Sequence, residues 1–396
     1  MSPAYPPANS MLAAQEGRLH LPFLDGLRGL VSFYVVAHHI YAYSWISGGK
    51  SVPKAPFWLN WLQYGHFAVM IFIVLSGFCL VLPFVSGKPK KPGWIKTFYY
   101  RRARRILPAY YAAVLVSLAV AAICPPVPSV VTWGRSATTA GGLLSHLLLF
   151  QDIFGPGQIN YAHWSVALEW QIYFLFPFLL WAFFRLGHGA GAALAMLLGF
   201  AGRAALDFGG VVPWSLATQY IGGFALGMWA AWVVVPTGAK TRTVNRWFLW
   251  PLVAAAGCIL AHLVVPEAYR YLLKDAFVSI ASAVMLIVLT SNAATGAWTS
   301  LSRILSSKPL LFLGAMSYSL YLVHPAILEF FEAYIVRHIP FPSVLQEFWF
   351  AEIAGLLSIT LVSYGFYLLC ERPYLAKSIP KVVDCRVRKC SKNPLL

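Results

Sequence analysis

The chain has 396 residues, of which 59% are hydrophobic and only 11% are charged, and its formal net charge is +17. About a quarter of the residues of a soluble domain are charged, so this composition excludes an ordinary soluble protein and predicts a polytopic membrane protein. The basic residues fall in short loops between apolar segments. This pattern favours membrane topology over nucleic-acid binding as the reason for the positive charge.

The first 22 residues precede the apolar part of the chain. The stretch MSPAYPPANSMLAAQEGRLH has no basic region followed by an apolar core, so we expect no cleaved signal peptide. Beyond it, runs of about 20 apolar residues are long enough to cross a bilayer as helices. They predict an all-α fold with about ten transmembrane helices, near 29–46, 66–86, 107–124, 163–184, 190–206, 214–235, 247–265, 272–290, 310–330 and 348–370.

The distribution of lysine and arginine predicts how these helices are oriented. An even number of spans places both termini on one side, and most of the 30 basic residues then fall on that side. Because basic loops stay in the cytoplasm, both termini are predicted to be cytoplasmic. The expected organisation is a cytoplasmic segment (1–22), one transmembrane domain (23–374) and a basic cytoplasmic tail (375–396).

The first predicted span combines an arginine with a histidine. Arg28 and His39 are separated by ten residues, so on a helix they share one face, about 16 Å apart along the axis. Arg28 is then at the cytoplasmic rim and His39 near the middle of the membrane. An ionisable residue at that depth is costly, so His39 is either a functional residue or a core residue that hydrogen-bonds to a neighbouring helix. The adjacent His38 points about 100° away and is better explained as a structural residue.

Two more ionisable residues fall inside predicted spans. Glu169 lies in the fourth span and His324 in the ninth, and with His39 they are predicted to reach one cavity in the middle-to-far half of the membrane. Each also has a simpler explanation. Glu169 is a candidate structural partner for a histidine or an arginine, and His324 precedes a kink-forming proline, Pro325.

A cluster of arginines directly precedes the third span. Arg101, Arg102, Arg104 and Arg105 form either a patch that contacts anionic lipid or a clamp that binds phosphate oxygens bidentately. The cluster alone favours neither interpretation. The six cysteines lack the spacing of a zinc site, and we expect no metal.

Six blocks of the sequence, taken in order, resemble the acyltransferase 3 family of integral membrane acyltransferases. They are LDGLRG followed by HH, then GHFAVMIFIVLSGFCL, FYYRRARRILPAYY, HWSVALEWQIYFLFPFL, LGAMSYSLYLVHPAI and ERPY, and they cover nearly the whole chain. The resemblance implies that Arg28 and His39 form the family's Arg-x10-His motif. It also implies that His39 is the catalytic histidine.

The same resemblance gives a meaning to the arginine cluster. The family has an Arg-x-x-Arg element that is linked to the use of acyl-CoA. This element matches either Arg102 with Arg105 or Arg101 with Arg104, and the doubled arginines leave both registers open.

Two further motifs match the family residue by residue. The Trp-Ser-x-x-x-Glu block ends at Glu169, and the Ser-Tyr-x-x-Tyr-x-x-His block contains Ser317, Tyr318 and His324. The resemblance therefore implies catalytic roles for His39, Glu169 and His324. Glu169 is expected to orient an imidazole, and Ser317, Tyr318 or His324 to donate a hydrogen bond to the developing oxyanion.

The resemblance implies an enzyme that moves an acyl group, usually acetyl, from cytoplasmic acyl-CoA to a hydroxyl of a sugar, lipid or small molecule. The arginines are expected to hold the phosphates of coenzyme A. His39 is expected either to act as a general base or to accept the acyl group itself. No appended extracytoplasmic domain is expected, so a shuttle through a second domain is not predicted.

A multi-pass transporter or flippase is the competing hypothesis, with the buried histidines and glutamate as a proton relay. The sequence has no internal repeat, which weighs slightly against a transporter. The identity of the acceptor, the length of the acyl chain, the membrane and the oligomeric state are left open by the sequence.

Overall fold

The computed structural model describes residues 21–45, 54–85, 92–124, 139–154, 158–211, 216–234, 267–294 and 299–375, with single positions between 255 and 263. Within these residues the chain is almost entirely helical and contains no β-strand. The all-α prediction is therefore confirmed. Residues 1–20 and 376–396, which hold most of the two predicted cytoplasmic segments, lie outside the described part of the chain.

The helices are numbered here in chain order. They are α1 (Pro22–Trp45), α2 (Gly65–Val85, preceded by the 3₁₀ segment Phe57–Tyr64), α3 (Trp94–Ile123), α4 (Ala140–Leu148), α5 (Gln151–Phe154), α6 (His163–Leu186), α7 (His188–Phe208), α8 (Gln219–Val234), α9 (Glu267–Ala294), α10 (Ser300–Leu305), α11 (Lys308–Ala315), α12 (Ser317–Tyr334) and α13 (Val344–Leu375). Helix α13 contains two π-helical turns, Ala351–Gly355 and Tyr367–Glu371.

Seven helices of the described residues are long and apolar enough to cross a membrane. They are α2 with its 3₁₀ segment, α3, α6, α7, α9, α12 and α13. Helices α1 and α8 lie where the first and sixth spans were predicted. The predicted span 247–265 falls almost wholly outside the described residues. The protein is thus a multi-pass membrane protein, while the count of ten and the cytoplasmic termini stay predictions.

Glycines let the helices around the site approach one another closely. A Cβ added at Gly29 of α1 would lie 2.4 Å from the carbonyl oxygen of Leu310, and one at Gly314 would lie 2.1 Å from that of Asp25. Helices whose backbones approach this closely leave room only for small residues, as is common between membrane helices. Gly29 and Gly314 therefore let α1, which carries Arg28, pack closely against α11.

The fifth predicted span forms a helix and carries a fully buried arginine. The Arg203 guanidinium donates to Asp207 Oδ1 at 2.5 and 2.9 Å and to the Val211 carbonyl oxygen at 2.7 Å. Asp207 also accepts a hydrogen bond from the hydroxyl of Tyr271 on α9. A buried charge with this many partners is a structural ion pair that joins α7 to α9.

Candidate active site

A cavity of about 320 Å³ lies among α1, α2, α3, α6 and α12. Three arginines and a glutamate meet apolar and hydroxyl-bearing side chains on its wall. The polar and sulfur-containing lining residues are Arg28, Ser76, Cys79, Arg102, Arg105, Ser165, Glu169, Tyr173, Ser317, Tyr318 and Tyr321. We call this space the arginine cavity.

Arg28 lies on the first turns of α1, as its motif predicted. Its guanidinium donates to Asp25 Oδ1 at 2.6 Å and to Cys79 Sγ at 3.1 Å, and 22% of its side chain is exposed. Asp25 was not singled out from the sequence, although its place three residues before Arg28 allows such a pair on a helix. The pairing holds the cation at the cavity wall and leaves part of it accessible to an anion.

The structure distinguishes the two registers of the arginine cluster. Arg102 and Arg105 line the arginine cavity, and Arg101 and Arg104 are not among its lining residues. The Arg102 guanidinium lies 6.0 Å from the ring centre of Phe98 and 5.9 Å from that of Tyr173. These aromatic contacts orient a planar cation without neutralising it.

Glu169 also lies in the arginine cavity. Its Oε1 accepts hydrogen bonds from Ser76 Oγ at 2.9 Å and from the Tyr173 hydroxyl at 2.5 Å. Its charge acts on both Arg28 and Arg102. Among the described residues these are its partners, and it makes no hydrogen bond to a histidine. Glu169 therefore balances the arginines and is separated from the two imidazoles with which it was predicted to share a cavity.

The start of α6 explains this separation. His163, the first residue of the helix, is buried and lies close to the carbonyl oxygen of Leu322 (3.3 Å from its Nε2), which places the helix start near His324. Each helical residue rises about 1.5 Å, so Glu169 lies roughly 9 Å from that level, on the side of the arginines. The sequence predicted the helix but not the depth at which it begins.

The structure brings His39 and His324 together. His39 Nδ1 lies 3.1 Å from His324 Nε2, and the two ring centres are 5.0 Å apart. His39 is on α1 and His324 is on α12, 285 residues later. Neither histidine lines the arginine cavity. We call these two residues the histidine pair.

Pro325 explains how His324 is oriented. A proline has no N–H, so the carbonyl oxygen four residues earlier, that of Tyr321, loses its helical hydrogen-bond donor. His324 Nδ1 takes this place at 2.8 Å from the Tyr321 oxygen and also lies 3.2 Å from the Leu320 oxygen. The proline that was first interpreted as a simple kink therefore supplies the acceptor that holds the imidazole.

These contacts define the tautomers of the neutral pair. His324 Nδ1 faces two carbonyl oxygens and must carry the proton, which leaves its Nε2 as a hydrogen-bond acceptor. His39 must therefore donate from Nδ1 to His324 Nε2. The lone pair of His39 is then on Nε2, where it is available as a base or a nucleophile.

The two adjacent histidines of α1, His38 and His39, have different surroundings. His38 Nδ1 is 2.6 Å from the carbonyl oxygen of Leu62, which agrees with the structural role predicted for it. The ring of Tyr161, in the loop before α6, lies 4.7 Å from the ring of His39. No pattern in the sequence pointed to Tyr161, because its loop position gives no helical spacing from which a contact could be predicted.

Tyr321 connects the arginine cavity with the histidine pair. Its side chain lines the cavity, its ring centre is 5.8 Å from that of His324, and its hydroxyl lies 2.6 Å from Ser165 Oγ. By contrast, Ser317 donates to the Gly314 oxygen at 2.9 Å and Tyr318 to the Ile106 oxygen at 3.2 Å. The hydroxyl protons of Ser317 and Tyr318, two predicted oxyanion donors, are thus engaged by the backbone.

The described residues contain no group of three or more histidine, cysteine, aspartate or glutamate side chains that could hold a metal ion.

The glutamate of the terminal Glu-Arg-Pro block makes a structural contact. Glu371 is buried and accepts hydrogen bonds from Ser319 N at 3.1 Å and from Ser319 Oγ at 2.5 Å. A carboxylate at the first turn of α12 stabilises the positive end of that helix.

Comparisons with known proteins show what the chain is similar to. The model of the acyltransferase 3 family, described as an acyltransferase domain, matches residues 21–368. The peptidoglycan O-acetyltransferase OatA of Listeria monocytogenes is 26% identical over 355 residues, which cover 78% of this chain and 50% of that protein. The O-acetyltransferase OatA of Staphylococcus aureus is 26% identical over 341 residues, 80% of this chain and 52% of that protein. The chain thus spans about half the length of these relatives. No solved structure matches it.

Proposed function

The chain belongs to the acyltransferase 3 family, and from this membership we propose that it is a membrane-bound O-acyltransferase. The reaction transfers an acyl group, most simply acetyl, from acyl-CoA to a hydroxyl group of an acceptor. The similarity to two O-acetyltransferases supports acetyl as the group transferred. Ten spans with both termini in the cytoplasm would place the arginine cavity on the cytoplasmic side, where acyl-CoA is available.

The arginine cavity is the proposed site for the acyl donor. Coenzyme A carries several phosphate charges, and Arg28, Arg102 and Arg105 offer guanidinium groups that bind phosphate oxygens in pairs. The cavity is large enough for the thin arm that carries the thioester. The thioester would then pass Tyr321, which borders both the cavity and the histidine pair.

The histidine pair is the proposed catalytic centre. His39 Nε2 would remove the proton from the acceptor hydroxyl as its oxygen attacks the thioester carbonyl carbon. The carbon–sulfur bond then breaks, and the coenzyme A thiolate receives that proton from His39. His324 would stabilise the imidazolium in between, since its Nε2 accepts the hydrogen bond from His39 Nδ1. The alternative, in which His39 Nε2 first accepts the acyl group, uses the same lone pair.

The observation that carries this proposal is the contact between His39 and His324, with a tautomer that leaves His39 Nε2 unprotonated, beside a cavity lined by arginines. The test uses the full chain in lipid nanodiscs, radiolabelled acetyl-CoA and an extract of hydroxyl compounds. We expect His39→Gln to abolish label transfer while the binding of acetyl-CoA is retained.

His38→Gln is the matched control, because a glutamine amide can still donate to the Leu62 carbonyl oxygen. It should retain transfer within a few-fold of the wild type. Equal transfer by His39→Gln and wild type would contradict the catalytic assignment. Uptake of a solute into vesicles without any acyl transfer would favour the transporter hypothesis instead.

A further inference from the structure

The loop that precedes α6 reaches into the helix bundle beside the histidine pair. Its residues 158–162 are buried, as is His163, the first residue of α6. The ring of Tyr161 lies 4.7 Å from the ring of His39 and 6.1 Å from that of His324. Non-helical backbone inside a membrane protein is tolerated only where it is buried in the protein or lines a water-filled cavity. The contacts of this loop therefore bear on the position of the histidine pair.

Two buried side chains, one from the loop and one from α6, bind the same atom of α12. Asn160 Nδ2 lies 3.2 Å from the carbonyl oxygen of Leu322, and His163 Nε2 lies 3.3 Å from it. The amide nitrogen donates, and an imidazole nitrogen that faces a carbonyl oxygen must carry the proton. The Leu322 oxygen thus receives two hydrogen bonds from outside its own helix, two residues before His324.

Pro325 makes this part of α12 dependent on side chains. A proline inside a helix removes one hydrogen bond, and its ring clashes with the carbonyl group one turn earlier, so the helix kinks. The Tyr321 oxygen is bound by His324 Nδ1 at 2.8 Å, and the next oxygen, that of Leu322, is bound by the two donors described above. Side chains thus bind two successive carbonyl oxygens of the turn before the proline. The position of His324 depends on the backbone of this turn.

Asn160 is itself fixed to the helices around it. Its Nδ2 also donates to Ser117 Oγ on α3 at 3.0 Å, and its Oδ1 accepts a hydrogen bond from Ala162 N at 3.0 Å. Its carbonyl oxygen accepts from His163 N at 3.0 Å, where α6 begins. A donor that is held by α3 and by the start of α6 can hold α12 in turn, because its own side chain has little freedom to move.

We propose that Asn160 and His163 are positioning residues for the acyl transfer reaction. By binding the Leu322 oxygen they hold the kinked turn of α12, so that His324 Nε2 stays 3.1 Å from His39 Nδ1. Both residues act through His324. Placement matters because a shift of about 1 Å in a catalytic group can cost on the order of 100-fold in rate. This inference rests on the proposed function and adds to it the residues that hold the histidine pair.

The test removes the bonds to Leu322 and keeps the loop. Asn160→Ser retains a side-chain oxygen for the Ala162 N–H, as serine does in turns, but its side chain is too short to reach Leu322. The full chain in nanodiscs is given the extract of hydroxyl compounds, and the rate of label transfer is measured as radiolabelled acetyl-CoA is varied. We expect the apparent kcat to fall about tenfold, while the KM for acetyl-CoA changes less than about twofold.

His163 provides a second pair of variants. His163→Leu removes the donor and should lower the apparent kcat about tenfold, again with little change in the KM for acetyl-CoA. His163→Gln keeps an amide that can donate to the Leu322 oxygen, so its kcat should stay within about threefold of the wild type. The difference between leucine and glutamine measures the hydrogen bond and not the loss of the ring.

A second comparison shows whether Asn160 acts through His324. In a His324→Ala background the positioned imidazole is missing, so Asn160→Ser should change the remaining transfer rate less than about twofold. A residue that only stabilises the fold would lower the rate in both backgrounds. Thr218→Val is the matched control, because the Thr218 hydroxyl, directly before α8, donates to the Gly199 carbonyl oxygen on α7 at 2.7 Å. This variant should keep the wild-type kcat.

Three results would overturn the inference. One is an unchanged kcat in both Asn160→Ser and His163→Leu. Another is an equal loss of kcat in His163→Leu and His163→Gln. The last is an equal loss of rate from Asn160→Ser with and without His324. A wild-type protein that binds no acetyl-CoA or transfers no acetyl group would contradict the proposed function itself, and the inference with it.

Discussion

The arginine cavity and the histidine pair occupy successive stretches of α1 and α12, and they contain different kinds of polar group. The cavity has charged groups, held by a carboxylate and by aromatic rings. The pair consists of imidazoles that hydrogen-bond to each other and to backbone carbonyl oxygens. A charged group is tolerated where it can meet water or an anion, whereas neutral hydrogen bonding suffices deeper in the membrane. Residues of the arginine cavity should therefore affect substrate binding, and residues of the histidine pair should affect the chemical step.

The largest effect on catalysis is expected from His324→Ala. The substitution removes the acceptor for His39 Nδ1, so the base loses its orientation and the support for its positive charge. We expect kcat for acetyl transfer to fall about 100-fold or more, with little change in the KM for acetyl-CoA. Steady-state kinetics with both substrates measure this split. A rise in the KM for acetyl-CoA at unchanged kcat would place His324 among the binding residues.

Arg102→Ala is expected to have the converse effect. Loss of a charge-assisted hydrogen bond to phosphate costs about 1.5–3 kcal/mol, so the KM for acetyl-CoA should rise about 10- to 100-fold. Arg101→Ala is the matched control, because Arg101 does not line the arginine cavity. In the Arg101→Ala variant, the KM for acetyl-CoA should change less than threefold. Equal effects of the two substitutions would indicate a lipid-contacting patch and not a phosphate clamp.

Pro325→Ala tests how the histidine pair is held. Alanine restores a backbone N–H that competes for the Tyr321 carbonyl oxygen, so His324 Nδ1 loses part of its anchor. We expect kcat to fall by roughly three- to tenfold, because one neutral hydrogen bond is worth about 0.5–1.5 kcal/mol. Thermal unfolding should show unchanged or higher stability, since a proline inside a helix is unfavourable. A lower stability with an unchanged kcat would show that Pro325 serves the fold alone.

The smallest effect concerns the loop that carries Tyr161. His146 on α4 accepts a hydrogen bond from Ile159 N at 3.1 Å and must be neutral to do so. Burial lowers the pKa of His146 below its ordinary value. The unfolded residue titrates near pH 6.5, so the stabilisation is complete above that pH and is lost as the pH falls further.

His146→Gln keeps an acceptor without a titratable ring and provides the comparison. Between pH 7.5 and 5.5, the wild type should lose more of its free energy of unfolding than the variant does. Thermal unfolding at each pH measures the difference, which we expect to be below about 2 kcal/mol. Parallel pH curves would exclude His146 as the group responsible.

The sequence predicted the local features of the site better than its long-range contacts. Apolar runs and helical spacing were enough to place Arg28 and His39 on one helix, because both depend only on neighbours along the chain. The spacing could not show that His39 meets His324, since nothing local relates residues on two helices so far apart in sequence. The sequence also could not show which arginines of the cluster line the cavity. Adjacent arginines are chemically identical, and only their neighbours in the folded protein distinguish them.

The positions of two residues, Glu169 and Tyr161, could not be predicted from the sequence. Glu169 was predicted from depth to join the histidines, but α6 begins at a buried residue beside Leu322, and Glu169 lies in the arginine cavity. Tyr161 lies in a loop at the same level, where no periodicity applies. That loop is held by Asn160, whose side chain donates to Ser117 Oγ and to the Leu322 carbonyl oxygen. Such contacts depend on the assembled bundle.

The carbonyl oxygen that Pro325 leaves without a backbone donor determines the electrostatic state of the resting centre. In a histidine–carboxylate arrangement the partner of the imidazole is an anion, and moving an ion out of water into a medium of low permittivity costs several kcal/mol. Here the partner of His324 Nδ1 is a peptide dipole, so a neutral histidine pair needs no counterion in the bilayer. In the proposed mechanism, positive charge arises on His39 only during turnover, when the substrate oxygen carries the matching negative charge.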